Sequence, residues 1–478
     1  MENKVSFYLL TDSHYISKKN WVEGKPFTLR ERGDQIAKKL SPEILDTFID
    51  KIIADTEIDT VLFTGDNVDD GDMNSHYEFR ERLEKLRAAG KKVYVTYATH
   101  DYCGAGEDEC VFMGSTKYNE NSTEPLPFMH KGELYDFYKD YGPEQALSVH
   151  EESGSYVVRI GEGVRLAAII DNGNGRSHCG LFEDGVEWLK NQIDEAKQAD
   201  EFILLAVHHP VIAPFEVFRH VVEYELYGGY RELWNIMCEK NVRVVFTGHT
   251  HIQNIRKYED ENGSWFLDVS TIALANAAGK MRKIEVDTEK AKCLVTSVGI
   301  EKINGVESDK SAFEQLYYLN FPGIVEKLIP LANKDYDEFL SLAEGFLPVD
   351  KLKKFKFAVK PVFRKVRKMK MSTLVRLGKC KKQLTAEQIK AAKEEKFEPV
   401  LYEILKHIYT GNAPYSPGTL EYIAIEGVAA RLDRIVNRFN IGAVKKIIPP
   451  GSSIAEIAED FLYNNRTGDD DTIEFDLI

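Results

Sequence analysis

Over its first three hundred positions the chain alternates short apolar runs, rich in β-branched residues, with stretches of helical spacing. Val5–Leu10, Thr60–Phe63, Val93–Tyr97, Phe202–Val207 and Val242–Phe246 read as buried strands. Tyr156–Ile160 and Val164–Ile170 flank Gly161-Glu162-Gly163 and read as a strand pair, and Trp265–Val269, Lys283–Val286 and Leu294–Val298 complete the β content. Ser41-Pro42 predicts a helix start, with a capping serine and a first-turn proline, running to about Ala54. Ser75-His76-Tyr77-Glu78 fits a capping box for a helix ending near Gly90, and residues 184–197 read as a third helix. Such alternation predicts an α/β layered domain over residues 1–304. Residues 102–150 have little periodicity and are expected to cap or rim a site.

From residue 305 the strand pattern fades, and helical spacing dominates to about residue 465. This predicts a helical C-terminal domain, 305–478, ending in an acidic tail from Gly468-Asp469-Asp470-Asp471 that is expected to fray. Within it, Leu352, Phe355, Val359, Val362, Phe363, Val366 and Met369 follow helical spacing, with Lys and Arg in the gaps and Pro361 placed to kink or divide the helix.

The 478 residues are 43% hydrophobic and 29% charged, the balance of a soluble globular protein of at least two domains. Residues 351–382 hold 14 Lys and Arg and no acid, so a formal charge of −15 leaves −29 on the rest. That balance argues against a long nucleic-acid substrate. The basic segment has two readings: a peripheral membrane or protein contact, or an ordinary helix packed by its apolar face on the catalytic domain. Cys103, Cys110, Cys179, Cys238, Cys293 and Cys380 are scattered without metal or disulfide spacing. With no leader-like start and no apolar run long enough for a bilayer, a cytoplasmic location is expected.

Five short motifs carry the chemistry: Asp12-Ser13-His14, Gly65-Asp66-Asn67-Val68-Asp69, Thr99-His100-Asp101, His208-His209-Pro210 and Gly248-His249-Thr250-His251. Four follow predicted strands directly. Asp and His are the ligands that hard and borderline divalent cations take. Asp12 and His14, and His249 and His251, are spaced to point the same way along an extended segment. Asp66 is the candidate bridge between two cations, after a glycine that allows a tight turn. A lone D-x-H or H-x-H is usually a surface accident; five such motifs in order are not.

The set resembles the calcineurin-like metallophosphoesterase superfamily, known by D-x-H, G-D-x-x-D, G-N-H-[DE], a His before x-P, and G-H-x-H; the resemblance covers roughly residues 4–300. It implies a four-layer α-β-β-α sandwich of two mixed sheets flanked by helices. It also implies one metal held by Asp12, His14, Asp66 and His251, and a second by Asp66, Thr99, His208 and His249. The metals would be Mn, Fe or Zn, with Mn the first choice. A hydroxide bridging them would attack phosphorus in a small phosphomonoester or phosphodiester. His100 would protonate the leaving oxygen or bind the phosphoryl group, with Asp101 orienting it. A nuclease of the same superfamily is the alternative activity, and a non-catalytic scaffold the alternative class. The third motif departs from the family: Thr99 stands where an asparagine amide would ligate, so the second site is expected to be weaker or to use Thr99 only structurally.

Other residues read more simply. His209 is expected beside the metals or facing substrate rather than ligating, and Asp69 to support its loop through backbone hydrogen bonds. Asp70, and Asp171 at a strand end, read as turn residues, and His76 and His178 as surface histidines.

Overall fold

A computed structural model describes residues 4–102, 114–171, 179–216, 225–344, 349–354, 356–439, 452–464 and 467–478. Its strands are β1 (Lys4–Leu10), β2 (Thr60–Thr64), β3 (Lys92–Thr96), β4 (Thr116–Tyr118), β5 (Thr123–Pro125), β6 (Ser148–Val149), β7 (Tyr156–Gly161), β8 (Val164–Ile169), β9 (Phe202–Val207), β10 (Val244–Thr247), β11 (Asn254–Glu259), β12 (Trp265–Ser270), β13 (Lys280–Asp287), β14 (Lys292–Gly299) and β15 (Thr472–Asp476). One mixed sheet runs β15-β14-β13-β1-β2-β3, and a second runs β11-β12-β10-β9-β8-β7-β6.

Side-chain alternation along the strands builds the layers. Phe7 and Leu9 face the second sheet, packing with Leu204, Ala206, Phe246 and Val269. Tyr8 and Leu10 face outward onto Phe48, Ile49, Phe79 and Leu83, from the helices Ser41–Ala54 and Met73–Ala88. On the far side, Leu205, Val207 and Val245 pack under Leu189, Ile193, Leu233 and Met237, from the helices Glu183–Gln198 and Tyr230–Glu239. The result is the four-layer α-β-β-α sandwich.

Strands β1, β2 and β3 are parallel, as are β9 and β10, and every chemical motif lies just beyond the C-terminal end of one of them. In sheets of this kind ligands bind at those ends.

Several local expectations change. Ser41 lies inside its helix and accepts from the Ile16 N–H instead of capping. Asp72, not Ser75, caps the next helix, through the Ser75 N–H at 2.8 Å. The acidic tail does not fray: β15 adds to the edge of the first sheet, with Phe475 and Leu477 buried between the sheets. Three aspartates mask that apolar alternation in the sequence. Asp470 is wholly buried and accepts from the Ile255 N–H at 3.0 Å and the Asn412 N–H at 2.6 Å.

Helices dominate from Ala312 to Leu462. The basic segment runs through three of them, Val349–Lys354, Lys356–Lys368 and Met371–Gly378, with Pro361 inside the second rather than at a break. Leu352, Val359 and Phe363 pack on Leu328, Tyr336 and Phe339 of the helical region itself, not on the two-sheet sandwich. Val362, expected on that apolar face, points outward at 61% exposure. Phe355 lies outside the described residues. Among the described residues no helix is long and apolar enough to cross a membrane.

Candidate metal centre

Backbone pairing first brings the loops together. The Asp12 N–H donates to the Gly65 carbonyl at 3.1 Å, the His14 N–H to that of Asp66 at 3.0 Å, and the Gly248 N–H to that of His208 at 2.9 Å. Asp12, His14, Asp66, Asp70, His249 and His251 all have φ between +41° and +65°. Such backbone costs about 1 kcal/mol or more per non-glycine residue and clusters at functional sites. Gly65 is needed as glycine: its φ is +93°, and a Cβ would stand 2.7 Å from that of Ala98 and 2.8 Å from His208 Nδ1.

The six Asp and His side chains expected as ligands gather in two groups. Asp12, His14 and His251 form one, and Asp66, His208 and His249 the other, each with its donor atoms within 4.8 Å of one another. Within the first, His251 Nε2 is 3.3 Å from Asp12 Oδ1 and 3.0 Å from His14 Nε2. Within the second, His208 Nε2 is 3.0 Å from Asp66 Oδ2. The groups adjoin, since His14 Nε2 lies 3.9 Å from Asp66 Oδ2 and His208 Nε2 lies 3.8 Å from Asp12 Oδ1.

In four of these side chains one atom is tied back into the protein. Asp12 Oδ2 accepts from the Thr11 hydroxyl at 2.7 Å and the His249 N–H at 3.0 Å, and Asp66 Oδ1 accepts from the His100 N–H at 2.8 Å. His208 Nδ1 bonds the Thr64 carbonyl at 2.9 Å, and His249 Nε2 bonds Glu225 at 2.6 Å. Left over on these four are Asp12 Oδ1, Asp66 Oδ2, His208 Nε2 and His249 Nδ1, all buried and, apart from the 3.0 Å approach of His208 Nε2 to Asp66 Oδ2, facing no partner. A buried polar atom without a partner costs about 1–3 kcal/mol, so four converging ones need a ligand. Outer-shell bonds of this kind fix which nitrogen a histidine presents.

The field favours cations. Burial works against the Asp12 and Asp66 carboxylates, yet His208 and the other imidazoles hold both well below the usual carboxylate range. Burial likewise disfavours charge on His208, but Asp66 and Asp12 raise it to about 10. Carboxylates that hold a proton on a buried imidazole attract a divalent cation for the same reason.

His100 stands beside His14, with ring centroids 4.8 Å apart. Its orientation is a correction: Asp101 does not hold it. Asp101 Oδ1 accepts from the Asn67 and Val68 N–H groups at 2.8 and 3.0 Å, and Oδ2 from the Ala98 N–H at 2.8 Å, bracing the loop that carries Asp66. The partner of His100 is Asp70, whose Oδ1 is 2.9 Å from Nδ1 and which Arg30 meets at 3.0 Å. Burial opposes charge on His100, but Asp66 and Asp70 raise it to about 9.

Asp69 is likewise not a backbone support. It pairs with the buried Lys38 and, at 3.4 Å, with Arg30. Asp171 does more than turn the chain: it accepts from the His209 N–H at 2.8 Å and meets the same residue's Nδ1 at 2.9 Å. His209 is buried, its ring 4.0 Å from that of His249. His76 is not on the surface; it is fully buried, bonded to Tyr138 and to the Asp101 carbonyl. Thr99 is buried next to His100. His178, Cys103 and Cys110 lie outside the described residues. Of the region expected to rim the site, Ser115 reaches it, donating to the Asp70 carbonyl at 2.5 Å.

Asp70, Arg30, Lys38 and Glu225 are the residues that motif reading missed. Asp69-Asp70-Gly71 is also an ordinary turn sequence, and nothing local tells which acid reaches His100.

The model of one family, calcineurin-like phosphoesterase, matches residues 5–253. No curated protein sequence matches the chain. Among solved structures it is similar to a dimetal phosphatase from Danio rerio, at 11% identity and a TM-score of 0.44, over 62% of this chain and 96% of the other. It is also similar to a purple acid phosphatase from yellow lupin seeds, at 12% identity and a TM-score of 0.38, over 63% of this chain and 52% of that one.

Proposed function

The chain belongs to the calcineurin-like phosphoesterase family, and on that premise we propose that it is a metal-dependent hydrolase of a small phosphomonoester or phosphodiester. One observation carries the reading. Asp12 Oδ1, Asp66 Oδ2, His208 Nε2 and His249 Nδ1 are buried and converge, while the opposite atom of each side chain is anchored. The donor set fits two divalent cations: Asp12, His14 and His251 would hold one, His208 and His249 the other, and Asp66 both. When bound, such a pair supplies a nucleophile from water at neutral pH and neutralises phosphoryl charge. Mn suits this oxygen and nitrogen set, as do Fe and Zn.

The chain's own groups do the rest. His100 is placed to carry the proton for the leaving oxygen, and Asp70 at Nδ1 favours the charged ring. Asp70 fixes the ring through Nδ1, which turns Nε2 to the substrate side. His209, oriented by Asp171, is placed beside His249 to meet a phosphoryl oxygen.

The test is metal content, together with turnover of p-nitrophenyl phosphate and bis-p-nitrophenyl phosphate in Mn²⁺. Turnover of at least one ester, abolished in Asp66→Asn, is expected. At 100 times its Kd, bound Mn²⁺ should also stabilise the fold by about 2.7 kcal/mol. No turnover of either ester, with bound metal well under about one ion per chain, would overturn the proposal.

A further inference from the structure

The basic helix Lys356–Lys368 packs on the helical core by one side. Val359 and Phe363 face the helical core. At 100° per residue, Phe357, Pro361, Arg364, Lys365 and Lys368 fall on the opposite side and Val362 on its flank, and all six are exposed. Phe357 and Val362 are 76% and 61% exposed, among the most exposed large apolar side chains of the protein. Soluble helices place charge alone on such a face. Here Phe357, Pro361 and Val362, within about 8 Å along the axis, stand exposed among cations.

The charge around it is one-signed. Residues 351–382 contribute +14 and no acid. Among the described residues Arg367 alone of these is ion-paired, with Glu398 at 3.1 Å. Lys351, Lys353, Lys354 and Lys356 extend the exposed cations to the preceding turn.

We propose that the outward face of Lys356–Lys368 is a docking surface for an anionic membrane. Lipid headgroups pair with the lysines and arginines, and Phe357, Pro361 and Val362 enter the headgroup–acyl boundary. Charge complementarity selects this occupant. The −29 on the rest of the chain is repelled by the same membrane, so the molecule meets it with this face alone. A polyanion such as RNA would satisfy the cations, and a base could stack on Phe357, but Pro361 and Val362 would be left without a partner. The proposal stands apart from the metal centre.

The experiment is co-sedimentation of the full chain with phosphatidylcholine vesicles, with and without about 30% phosphatidylserine, in about 0.1 M salt. Binding should need phosphatidylserine and should weaken more than about tenfold in 0.5 M salt, where the Debye length shortens. At about fivefold per cation, the combined Lys354→Gln, Arg364→Gln, Lys365→Gln and Lys368→Gln variant should bind at least a hundredfold more weakly. Phe357→Ser with Val362→Ser should weaken binding while leaving the salt dependence unchanged. These side chains are exposed, so the variants should keep the parent's circular dichroism. Equal binding to both vesicles, or full phosphatidylserine binding by the quadruple variant, overturns the proposal. So does binding that ignores the serine pair yet is competed away by transfer RNA, which would mark a general polyanion surface.

Discussion

Asp70 and Asp101 exchange the roles that the third motif suggests, and two isosteric variants separate them. Asp101 accepts from the Asn67, Val68 and Ala98 N–H groups at 2.8 to 3.0 Å and from the Asn67 amide at 3.2 Å, in a fully buried position. In Asp101→Asn one oxygen becomes an NH₂ facing two donors. Two buried N–H groups lose their acceptor, at about 1–3 kcal/mol each, so the fold should lose roughly 2–6 kcal/mol. Against a total of about 5–15 kcal/mol that is a large fraction, read as a fall in the urea midpoint.

Asp70→Asn should behave oppositely. Asparagine tolerates the φ of +55° at this position and can still accept from His100 Nδ1. Arg30 keeps Asp34 at 2.6 Å, so the stability loss should stay near 1 kcal/mol. What goes is the negative charge that meets His100 Nδ1 at 2.9 Å and favours the protonated ring. The protonated imidazole is then lost at lower pH, so the alkaline limb of kcat should move down in pH and kcat itself should fall about 10- to 100-fold. The assay is bis-p-nitrophenyl phosphate turnover from pH 6 to 10, beside urea unfolding. If Asp101→Asn kept its urea midpoint and moved the alkaline limb while Asp70→Asn did neither, the assignment would be refuted.

Three further outcomes are expected. His76 Nε2 faces the Asp101 carbonyl and Nδ1 the Tyr138 hydroxyl, each at 2.7 Å, a pattern that suits the neutral ring; burial lowers its pKa to about 4. An unfolded histidine takes its proton near pH 6.5, so this residue's contribution is complete above that pH and is lost as pH falls toward 4, by roughly 3 kcal/mol. Urea unfolding at pH 7 and 4.5 should show a shallower acid loss in His76→Gln; equal losses would rule the residue out. A Cβ on Gly248 would stand 2.5 Å from Asp12 Oδ2 and press on Thr11, so Gly248→Ala should weaken metal binding about 10- to 100-fold by calorimetry, and unchanged affinity would remove Asp12 from the centre. Thr99→Asn supplies an amide oxygen at the third motif and should lower the Mn²⁺ concentration needed for half activity; no shift would mean that Thr99 does not face the metal.

What could be read from the sequence was short in range. A strand such as Phe202–Val207 announces itself by its own apolar run, and the D-x-H and H-x-H spacings name candidate ligands without knowledge of the fold. What escaped was decided by distant partners. Asp70 reaches His100 across 30 positions and Glu225 reaches His249 across 24, and neither pairing has a local marker. The last strand escaped because Ile473, Phe475 and Leu477 alternate behind a run of acids, so composition outweighed periodicity. Asp101 was misassigned because adjacency in sequence suggested contact. Its side chain instead turns back onto the Ala98 and Asn67 N–H groups, away from its neighbour's ring.

The backbone strain and the anchored ligand atoms point to one conclusion about how the centre works. Five of the six proposed ligands, together with Asp70, would relax to other φ values in a free loop, yet the sheet pairings and the Asp101 brace hold the loops where they are. A loop that orders only when metal arrives would spend binding free energy on its conformational entropy, at about 1–2 kcal/mol per residue. Here that cost falls on folding of the sandwich, whose packed core between the two sheets can bear it. The orphaned oxygens and nitrogens are therefore already aimed before any cation binds, and cation affinity should depend on the donors themselves far more than on loop closure. Replacing a loop residue that touches no ligand by glycine should then change stability while leaving metal affinity nearly untouched, whereas loss of a single anchor such as Glu225, which fixes the ring of His249, should do the reverse.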